Sequence, residues 1–337
     1  EPFLERVEFH YFDTPEQAFS AYQSGEIAAI GTLDSSTFRS VLDEPGINLH
    51  TARLPEVKLV YLNLASNEKP FLANKEVRHS LLQAINRQGL IDLALNGQGI
   101  VADGPILPGT WAFSQGLELA PFDPIAAART LDQLGWELPQ ATSPGSADYV
   151  RSKDGDDLSF DMLIADTPTD QTVATMLASY WARIGVQVSV KAVDPDELLT
   201  ELEDRDYQTA LTELTLSRWP DPDPYPFWHD SQAETGQNYS GFTDRNSGIW
   251  LERARTTPDQ ARRADQYNSF QYRFRDQVPA LLLYHPVYNY AITTEMRGVT
   301  FGPIFDPSDR FRGIEDWYLL TRRGRSATIT PSTNPAP

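Results

Sequence analysis

Cysteine is absent from the sequence, and its absence excludes several kinds of chemistry. The 337 residues contain no thiol, so the chain cannot form disulfides, use a thiolate nucleophile, or bind a zinc ribbon or an iron–sulfur cluster. The absence does not fix the cellular compartment, because proteins outside the cytoplasm also occur without cysteine.

Positive charge is scarce as well. Lys and Arg together number 28, whereas Asp and Glu number 47, and the net charge is −19. Because a chain of this sign repels phosphate backbones, the composition argues against nucleic-acid binding. The ordinary interpretation of so many acidic residues is a solvated surface that keeps the protein soluble.

Long apolar runs are missing too. The most apolar stretch, residues 278–292, is broken by two prolines, a histidine and an asparagine, whereas a membrane span needs about 18 apolar residues in succession. The chain opens with Glu-Pro-Phe-Leu-Glu-Arg, which has neither the basic nor the apolar region of a signal peptide. We therefore expect that a signal peptide is absent or was removed before residue 1.

Apolar and aromatic side chains are plentiful. Hydrophobic residues make up 40% of the chain and aromatic residues 11%, which is enough to bury large cores and argues against disorder over most of the chain. The length predicts two domains, or one domain and a piece of another.

Strand-like and helix-like patterns alternate along the chain, which is typical of an α/β protein. The predicted strands are 4–12, 27–30, 58–64, 158–163, 186–192, 207–216 and 280–292. The predicted helices are 15–24, 34–42, 74–87, 88–95, 124–134, 170–184, 195–203, 246–255 and 258–276. Asp154 and Gly155 predict the turn of a hairpin, and the first strand, helix and second strand predict a compact βαβ unit.

The most unusual segment is residues 218–229, which holds four prolines, four aromatic residues, two carboxylates and one histidine. Because proline fixes φ and lacks an N–H, we predict that the segment is neither a helix nor a central strand. Rigid aromatic side chains on such a loop can line a ligand pocket, and Asp221 and Asp223 could hold a cationic group. A proline-rich loop that packs on the core, with its acids in solvent, is equally compatible with these residues.

Other chemistry finds little support in the residues. Asp221 and Asp223 could form a glycosidase acid pair, but residues at i and i+2 of an extended loop point to opposite sides. The five histidines lack the spacing of metal ligands, and the acids at 154–157 lack the Gly and Glu of a calcium loop. The chain has no nucleophile-elbow or nucleotide-binding glycine motif. We expect no metal and no cofactor.

A series of motifs begins at Tyr61. It comprises Asn63, a Pro-Phe turn at 70–71, Val-Arg at 77–78 and Ala-Ile-Asn-Arg at 84–87. This order resembles the signature of the family 5 extracellular solute-binding proteins, the oligopeptide- and dipeptide-binding components of ABC importers. Further segments that resemble the family follow in the family's order at 122–136, 181–188, 206–207, 223–224, 238–242, 278–286 and 297–299. Together with Gly-Glu-Ile at 25–27, the resemblance spans residues 4–318.

The resemblance implies a fold and a domain organisation. The fold class is α/β, of the periplasmic-binding-protein type II (cluster C, peptide-binding-protein-like), with one whole lobe and part of the second lobe. Residues 1–58 are then a partial lobe I, residues 59–298 are lobe II, and residues 299–325 return to lobe I. The composition of residues 326–337 predicts a disordered tail. The N-terminal portion of the family has no counterpart here, so we expect this sequence to be a fragment.

The resemblance also implies a function: a non-enzymatic solute-binding subunit of an ABC importer, which captures a peptide or related small solute between its lobes and delivers it to a membrane permease. Such a protein is expected to be an extracytoplasmic monomer, in the periplasm or as a cell-surface lipoprotein, with no nucleic-acid partner. Its contact with the membrane would be made only through an N-terminal anchor that is not in this chain.

Carried over from the family, the ligand-binding residues are Trp219, Asp221, Asp223, Tyr225, Asn238, Tyr61 and Asn63. Peptide-binding members hold the amino end of the peptide with an Asp a few residues before the Asp-Pro pair, and the position four before Pro224 is here Pro220. Two other interpretations stay open. One is the ligand-sensing domain of a cytoplasmic transcriptional regulator with the same fold, and the other is a carbohydrate hydrolase that uses Asp221 and Asp223.

Overall fold

The computed structural model describes residues 2–102, 104–118, 120–140, 142–144, 146, 148–216, 221–302 and 304–320. The chain divides into two compact units. Unit 1 comprises Glu1–Ala52 and Asn289–Pro337, and unit 2 comprises Arg53–Tyr288. The lobe boundaries at residues 58 and 298 stay a prediction, and the predicted tail at 326–337 lies outside the described residues.

The elements alternate between strands and helices, as the sequence predicts for an α/β protein. The strands are β1 (Ala29–Ile30), β2 (Ile47–Arg53), β3 (Glu56–Leu62), β4 (Gly99–Val101), β5 (Ser152–Lys153), β6 (Asp156–Asp157), β7 (Ser159–Ala165), β8 (Gln187–Val193), β9 (Thr209–Thr215), β10 (Ala280–Thr293), β11 (Met296–Arg297) and β12 (Tyr318–Leu319). The α-helices are α1 (Pro15–Gln23), α2 (Ser35–Leu42), α3 (Lys75–Gln83), α4 (Arg87–Ala94), α5 (Pro124–Gln133), α6 (Pro168–Ala182), α7 (Pro195–Asp204), α8 (Tyr225–Trp228), α9 (Arg245–Thr256) and α10 (Gln260–Gln277).

The central feature of unit 2 is a mixed sheet in the order β10–β3–β9–β7–β8. Strand β3 is antiparallel to β10 and to β9, and Glu56 lies opposite Thr215 while Leu62 lies opposite Thr209. Strand β7 runs parallel to both β9 and β8. Because side chains alternate between the two faces of a strand, the even-numbered residues of β3 share one face with the odd-numbered residues of β9.

The sheet separates two apolar cores. Val60 and Leu62 belong to the first core, which includes buried residues of α3, α4, α5 and α6. Leu59 and Tyr61 belong to the second core, which includes buried residues of α7, α9 and α10. Helices therefore cover both faces of the sheet, and every residue of β3 from Val57 to Leu62 is buried.

Local sequence signals explain where the helices begin. The side chain of Thr167 accepts a hydrogen bond from the backbone N–H of Asp170, and Pro168 occupies the first turn of α6. The side chain of Asp259 caps α10 in the same manner by accepting from the N–H of Arg262. Such caps satisfy backbone donors that have no partner inside the helix. As a result, α6 and α10 begin close to the residues predicted from the sequence.

Unit 1 contains a small core and an aromatic cluster. Strand β1 pairs with the end of β10, where Ala29 lies opposite Ile292, and Ile30 packs in the core with Val41 of α2. The ring of Tyr290 stacks on Phe301 with centroids 6.0 Å apart and planes 6° from parallel. Among the helices that the structure describes, none is both long and apolar enough to cross a membrane.

Two sequence predictions about secondary structure are wrong, whereas the predicted hairpin is confirmed. Residues 4–12 form no strand in this structure, and the side chains of Phe9 and Tyr11 are 58% and 92% exposed. Alternation alone does not make a strand, which needs a hydrogen-bonded neighbour, so the predicted βαβ unit does not form. The Pro-rich segment contains the one-turn helix α8, since proline is tolerated in a first helical turn. The hairpin is confirmed, with φ of 54° at Asp154 and 95° at Gly155 in its turn.

Candidate functional site

Asp221 lies at the beginning of the described part of the Pro-rich segment and is bound by an arginine. Nη2 of Arg263, on α10, donates to both carboxylate oxygens of Asp221 at 2.7 Å. The Arg263 guanidinium also lies 5.1 Å from the centre of the Trp111 ring and donates to the hydroxyl of Tyr267 at 3.2 Å. The carboxylate that the sequence offers as a cation-binding group is thus already paired within the protein.

Asp223 has a second arginine as its partner. Nε of Arg255, on α9, donates to Oδ2 of Asp223 at 2.7 Å, and Oδ1 accepts from the backbone N–H of Tyr225 at 3.1 Å. The Arg255 guanidinium lies over the Tyr225 ring at 3.7 Å, and the His229 ring is stacked with Tyr225 at a centroid distance of 4.0 Å. The guanidinium of Arg255 and the imidazole of His229 therefore both pack against the Tyr225 ring, beside Asp223.

Asn238 is completely buried and holds the backbone that follows the Pro-rich segment. Its Nδ2 donates to the carbonyl oxygens of His229 at 3.1 Å and Phe242 at 2.8 Å. Its Oδ1 accepts from the hydroxyl of Ser240 at 3.0 Å and from the N–H of Phe242 at 3.2 Å. Since these bonds use both ends of the amide, the side chain positions the chain from residue 229 to residue 242.

Asn63 has a similar arrangement at the end of β3. Its Nδ2 donates to the carbonyl oxygens of Arg205 at 3.0 Å and Tyr207 at 2.9 Å. Tyr61 is 1% exposed, and its ring contacts Trp228 and Tyr239 at centroid distances of 6.0 and 5.7 Å. Its buried hydroxyl has no hydrogen-bond partner among the described residues, and burial raises its pKa well above the ordinary value.

The structure thus brings several of the predicted site residues together. Asp223 and Tyr225 are joined by a hydrogen bond, and Asn238 bonds to the carbonyl of His229, which is stacked on Tyr225. Tyr61 reaches the same region through Trp228. Trp219 lies outside the described residues. The role of all seven residues in ligand binding stays a prediction.

A second polar cluster lies on the face of the sheet that packs against α6. Lys58 of β3, which is 3% exposed, forms an ion pair with Asp170 in the first turn of α6 and lies 3.5 Å from Oε1 of Glu213 on β9. Glu213 lies directly opposite Lys58 in the sheet, and the Tyr284 position of β10 is paired with Lys58 on the other side. Glu56, two residues before Lys58, completes the group, which we call the Lys58 cluster.

The charges of the Lys58 cluster perturb their neighbours. Burial and the nearby charge of Glu213 raise the pKa of Glu56, against the opposite effect of Lys58. Burial, followed by the charges of Glu213 and Asp170, raises the pKa of the Tyr284 hydroxyl. In both cases burial is the larger cause, and the neighbouring carboxylates act in the same direction. The signal in the sequence was a lysine inside an apolar strand, since a buried lysine requires a partner of opposite charge.

His285 lies beside this cluster and is buried without charge. Its Nδ1 donates to the carbonyl oxygen of Glu56 at 2.8 Å, while Nε2 has no partner in the described part of the chain. Burial lowers the pKa of His285 from 6.5 to about 4. In the described ranges, no group of three or more His, Asp or Glu residues is arranged to hold a metal ion.

Solved structures of binding proteins share the fold of this chain. The oligopeptide-binding protein AppA from Bacillus subtilis, in complex with a nonapeptide, matches with a TM-score of 0.73 and 20% identity, over 91% of this chain and 58% of that chain. HbpA2 from Haemophilus parasuis matches with a TM-score of 0.78 and 19% identity, over 95% and 59% of the two chains. The fold is therefore α/β, of the periplasmic-binding-protein type II seen in peptide-binding proteins.

The family is shown by the sequence. The family model described as "Bacterial extracellular solute-binding proteins, family 5 Middle" matches residues 1–237. The chain belongs to this family, as the resemblance of its motifs predicts. The members are extracellular binding proteins rather than enzymes, so the chain is one of a group that works outside the cytoplasm.

Curated relatives extend the comparison over most of this chain. AppA of Bacillus subtilis is 22% identical over 324 residues, covering 94% of this chain and 56% of the relative. The dipeptide-binding protein of Escherichia coli is 24% identical over 295 residues, covering 86% and 52%. The nickel-binding periplasmic protein of Escherichia coli is 24% identical over 317 residues, covering 90% and 57%. The chain thus spans about half the length of the curated relatives that it matches.

Proposed function

We propose that the protein is the solute-binding subunit of an ABC importer, which captures a peptide or a related small solute and delivers it to a membrane permease. The observation that carries this proposal is the family match over residues 1–237. The names of the relatives support a peptide before other solutes, since they include oligopeptide-, dipeptide- and di/tripeptide-binding proteins. Other relatives are named for nickel and for glutathione, so these two are the alternative candidate solutes.

The seven predicted residues are our proposed binding site, with two kinds of role. Asp221 and Tyr225 have partly accessible side chains, and with Asp223 and Trp219 they are proposed to contact the solute. The remaining three residues are Tyr61, Asn63 and Asn238, which are buried at 0–7% exposure. They are proposed to fix the position of the backbone and rings that surround the solute. Buried amides whose bonds are all satisfied give a rigid frame, which lowers the entropy lost on binding.

The transport mechanism that we propose depends on conformational selection. A solute that binds one conformation of the protein more tightly shifts the population toward that conformation. The permease then distinguishes loaded from empty protein by its conformation, and the protein needs no chemical step. The expected partners are the solute and the permease. Anchoring through an N-terminal lipid, and a monomeric state, are part of the same proposal.

We also propose that the chain has no catalytic activity. Asp221 and Asp223 bond to different arginines on different helices, which is a poor arrangement for two carboxyl groups that would flank one glycosidic bond. The relatives are binding proteins, and this observation favours neither the hydrolase nor the regulator alternative.

A thermal-shift screen of the intact protein tests the proposal. Pools of dipeptides and tripeptides, a nickel–histidine complex, glutathione and maltotriose are each added in excess. Because ligands that bind only the folded state stabilise it by mass action, we expect a peptide pool to raise the Tm and maltotriose to leave it unchanged. A rise with nickel–histidine or glutathione alone would replace the peptide by that solute, and no rise with any pool would contradict the proposal.

A further inference from the structure

The imidazole ring of His229 is buried and has an acid beside each of its nitrogen atoms. The residue is 4% exposed. Oδ1 of Asp230 lies 3.0 Å from Nδ1, and Oε1 of Glu252, on α9, lies 3.4 Å from Nε2. The two acid side chains are 50% and 62% exposed, and among the described residues His229 is the only basic group within ion-pair distance of either. A proton on this ring would therefore have two carboxylates for its charge.

The neutral ring has a different set of partners. Nδ1 accepts from the backbone N–H of Ser231 at 3.1 Å and lies 2.9 Å from the Ser231 hydroxyl. Because an accepting Nδ1 carries no hydrogen, the hydroxyl is the donor in this second bond. The same hydroxyl oxygen lies 3.1 Å from that of Tyr225. Since the only hydrogen of Ser231 Oγ is used on His229, Tyr225 donates to Ser231 and keeps a lone pair for another donor.

Nε2 is the incompletely bonded atom of the neutral ring. It is buried and has no hydrogen bond in the part of the chain that the structure describes, although buried polar groups almost always have one. Gly248 of α9 faces Nε2 without a side chain, and Glu252 lies just beyond hydrogen-bonding geometry. An imidazolium donates from both nitrogens, so the charged ring is the state that uses both acids.

Protonation of His229 reverses the hydrogen bonds that lead to Tyr225. A charged ring donates from Nδ1 and no longer accepts from the Ser231 hydroxyl, whose hydrogen is then available to the Tyr225 oxygen. The backbone N–H of Ser231 keeps a partner, because it also donates to Oδ1 of Asp230 at 2.9 Å. Ser231 Oγ still accepts from Nε2 of Gln232 at 3.1 Å. Both charge states of the ring are thus provided with partners.

The other charges near the ring are already paired. Arg255, also on α9, lies 3.7 Å from the centre of the Tyr225 ring and donates to Asp223 at 2.7 Å. Tyr225 is stacked on His229 at 4.0 Å, so a change of charge on His229 acts on the same side chain. Because a buried charge needs partners, Asp230 and Glu252 are the groups that allow the ring to hold a proton.

We propose that His229 sets the hydrogen-bonding role of the Tyr225 hydroxyl toward the solute and that protonation reverses this role. The inference rests on the proposed function, since Tyr225 is one of the proposed solute contacts. With neutral His229, the Tyr225 oxygen accepts from an N–H group of a peptide solute. With charged His229, that oxygen accepts from Ser231 and turns its own hydrogen toward the solute N–H. His229 is therefore a positioning residue, and acidification weakens binding of the peptide.

The first test needs no solute. Carbon NMR of isotope-labelled histidine in the intact protein reports the tautomer and charge of each ring, and His229→Gln identifies the resonance of His229. We expect a neutral ring protonated at Nε2 at pH 7 and a charged ring at pH 5, within the range in which histidine changes charge. Glu252→Gln should lower the charged fraction at pH 5. A ring that stays neutral at pH 5, or one protonated at Nδ1 at pH 7, would overturn the proposal.

The second test measures the affinity for Ala-Ala-Ala by calorimetry at the same two pH values. We expect the wild type to bind about tenfold more weakly at pH 5, which is the size of one hydrogen bond. His229→Gln and Tyr225→Phe should lose this pH dependence. His10→Gln, which changes a partly exposed histidine of unit 1, is the matched control and should keep it. Circular dichroism at both pH values establishes that each variant is folded.

The two tests separate failure of the relay from failure of the proposed function. A pH dependence that survives His229→Gln, or a wild type with equal affinities at both pH values, would overturn the relay and leave the importer proposal standing. A protein that shows the expected ring titration but binds no peptide at either pH would contradict the importer proposal and support the hydrogen-bond reversal at His229.

Discussion

Nη2 of Arg263 donates to both oxygens of Asp221 at 2.7 Å. The Asp221 carboxylate, which the sequence offers as a binding group for a cation, therefore has a partner within the protein. The neighbouring Asp223 has Arg255 in the same role. The segment therefore presents arginine–carboxylate pairs beside aromatic rings rather than a bare negative charge.

The Asp221–Arg263 pair is expected to contribute little to stability. The Asp221 side chain is 46% exposed, and exposed ion pairs typically contribute about 0.2–1 kcal/mol. A double-mutant cycle with Asp221→Asn and Arg263→Gln, followed by urea unfolding, should give a coupling free energy below about 1 kcal/mol. Arg262→Gln, at an exposed neighbouring position on α10, is the control and should be neutral. A coupling free energy above about 3 kcal/mol would show that the pair is far less exposed to solvent than the structure indicates.

Removing one partner of the Lys58–Asp170 pair, by contrast, is expected to cost much stability. Both side chains are buried, so Lys58→Met leaves Asp170 as a buried charge without its partner and should lower the free energy of unfolding by about 3–5 kcal/mol. The double variant Lys58→Met/Asp170→Leu removes both charges and should recover most of that loss. Lys191→Met serves as a control, because its pair with Asp161 is 57% and 35% exposed. A Lys58→Met variant as stable as the control would contradict a buried pair.

Asn238→Ala is expected to destabilise the loop that follows the Pro-rich segment. The change leaves the buried carbonyl oxygens of His229 and Phe242 without donors, and unsatisfied buried groups cost about 1–3 kcal/mol each. Chemical denaturation should thus show a loss of about 2–4 kcal/mol, while Asn67→Ala, at an exposed position, changes stability very little. If Asn238→Ala removed solute binding but left stability unchanged, the frame role proposed for Asn238 would be wrong.

His285 predicts a pH dependence of stability. Its pKa is 6.5 when unperturbed and about 4 in the folded protein, because burial disfavours the charged form. Between these values the unfolded chain binds a proton that the folded protein does not, so the free energy of unfolding rises with pH through this window and is constant above it. From pH 7 to pH 5 the loss attributable to His285 is about 2 kcal/mol. The measurement compares the pH profiles of the wild type and His285→Asn, since other groups titrate in both. Parallel profiles would mean that His285 is not buried as a neutral group.

The regular elements could be predicted because their signals are local. Helix α10 was expected at 258–276 and occupies Gln260–Gln277, and β8 was expected at 186–192 and occupies Gln187–Val193. Each is bounded by a cap or a glycine turn that acts within a few residues. The segment 4–12 shows where such local prediction fails. Its pattern alternates, but a strand forms only beside a hydrogen-bonded neighbour, which the pattern does not specify.

The site could be predicted only in part. The Pro-rich segment and Asn238 were recognised by their motifs, but the partners Arg263 and Arg255 come from helices that begin more than twenty residues later in the chain. No spacing rule connects such distant positions. The Lys58 cluster depends likewise on the register of β3 with β9, although a lysine between Val57 and Leu59 was a visible sign that an opposite charge must lie nearby.

The central claim is that the protein binds a small peptide-like solute and releases it unchanged. The most direct measurement incubates the intact protein with a defined tripeptide pool, removes free peptide, and weighs the complex by native mass spectrometry before the protein is denatured and the released peptide is sequenced. The account predicts one peptide per protein, recovered at its original mass. Cleaved or modified peptides, or a protein that carries no peptide from the pool, would contradict it.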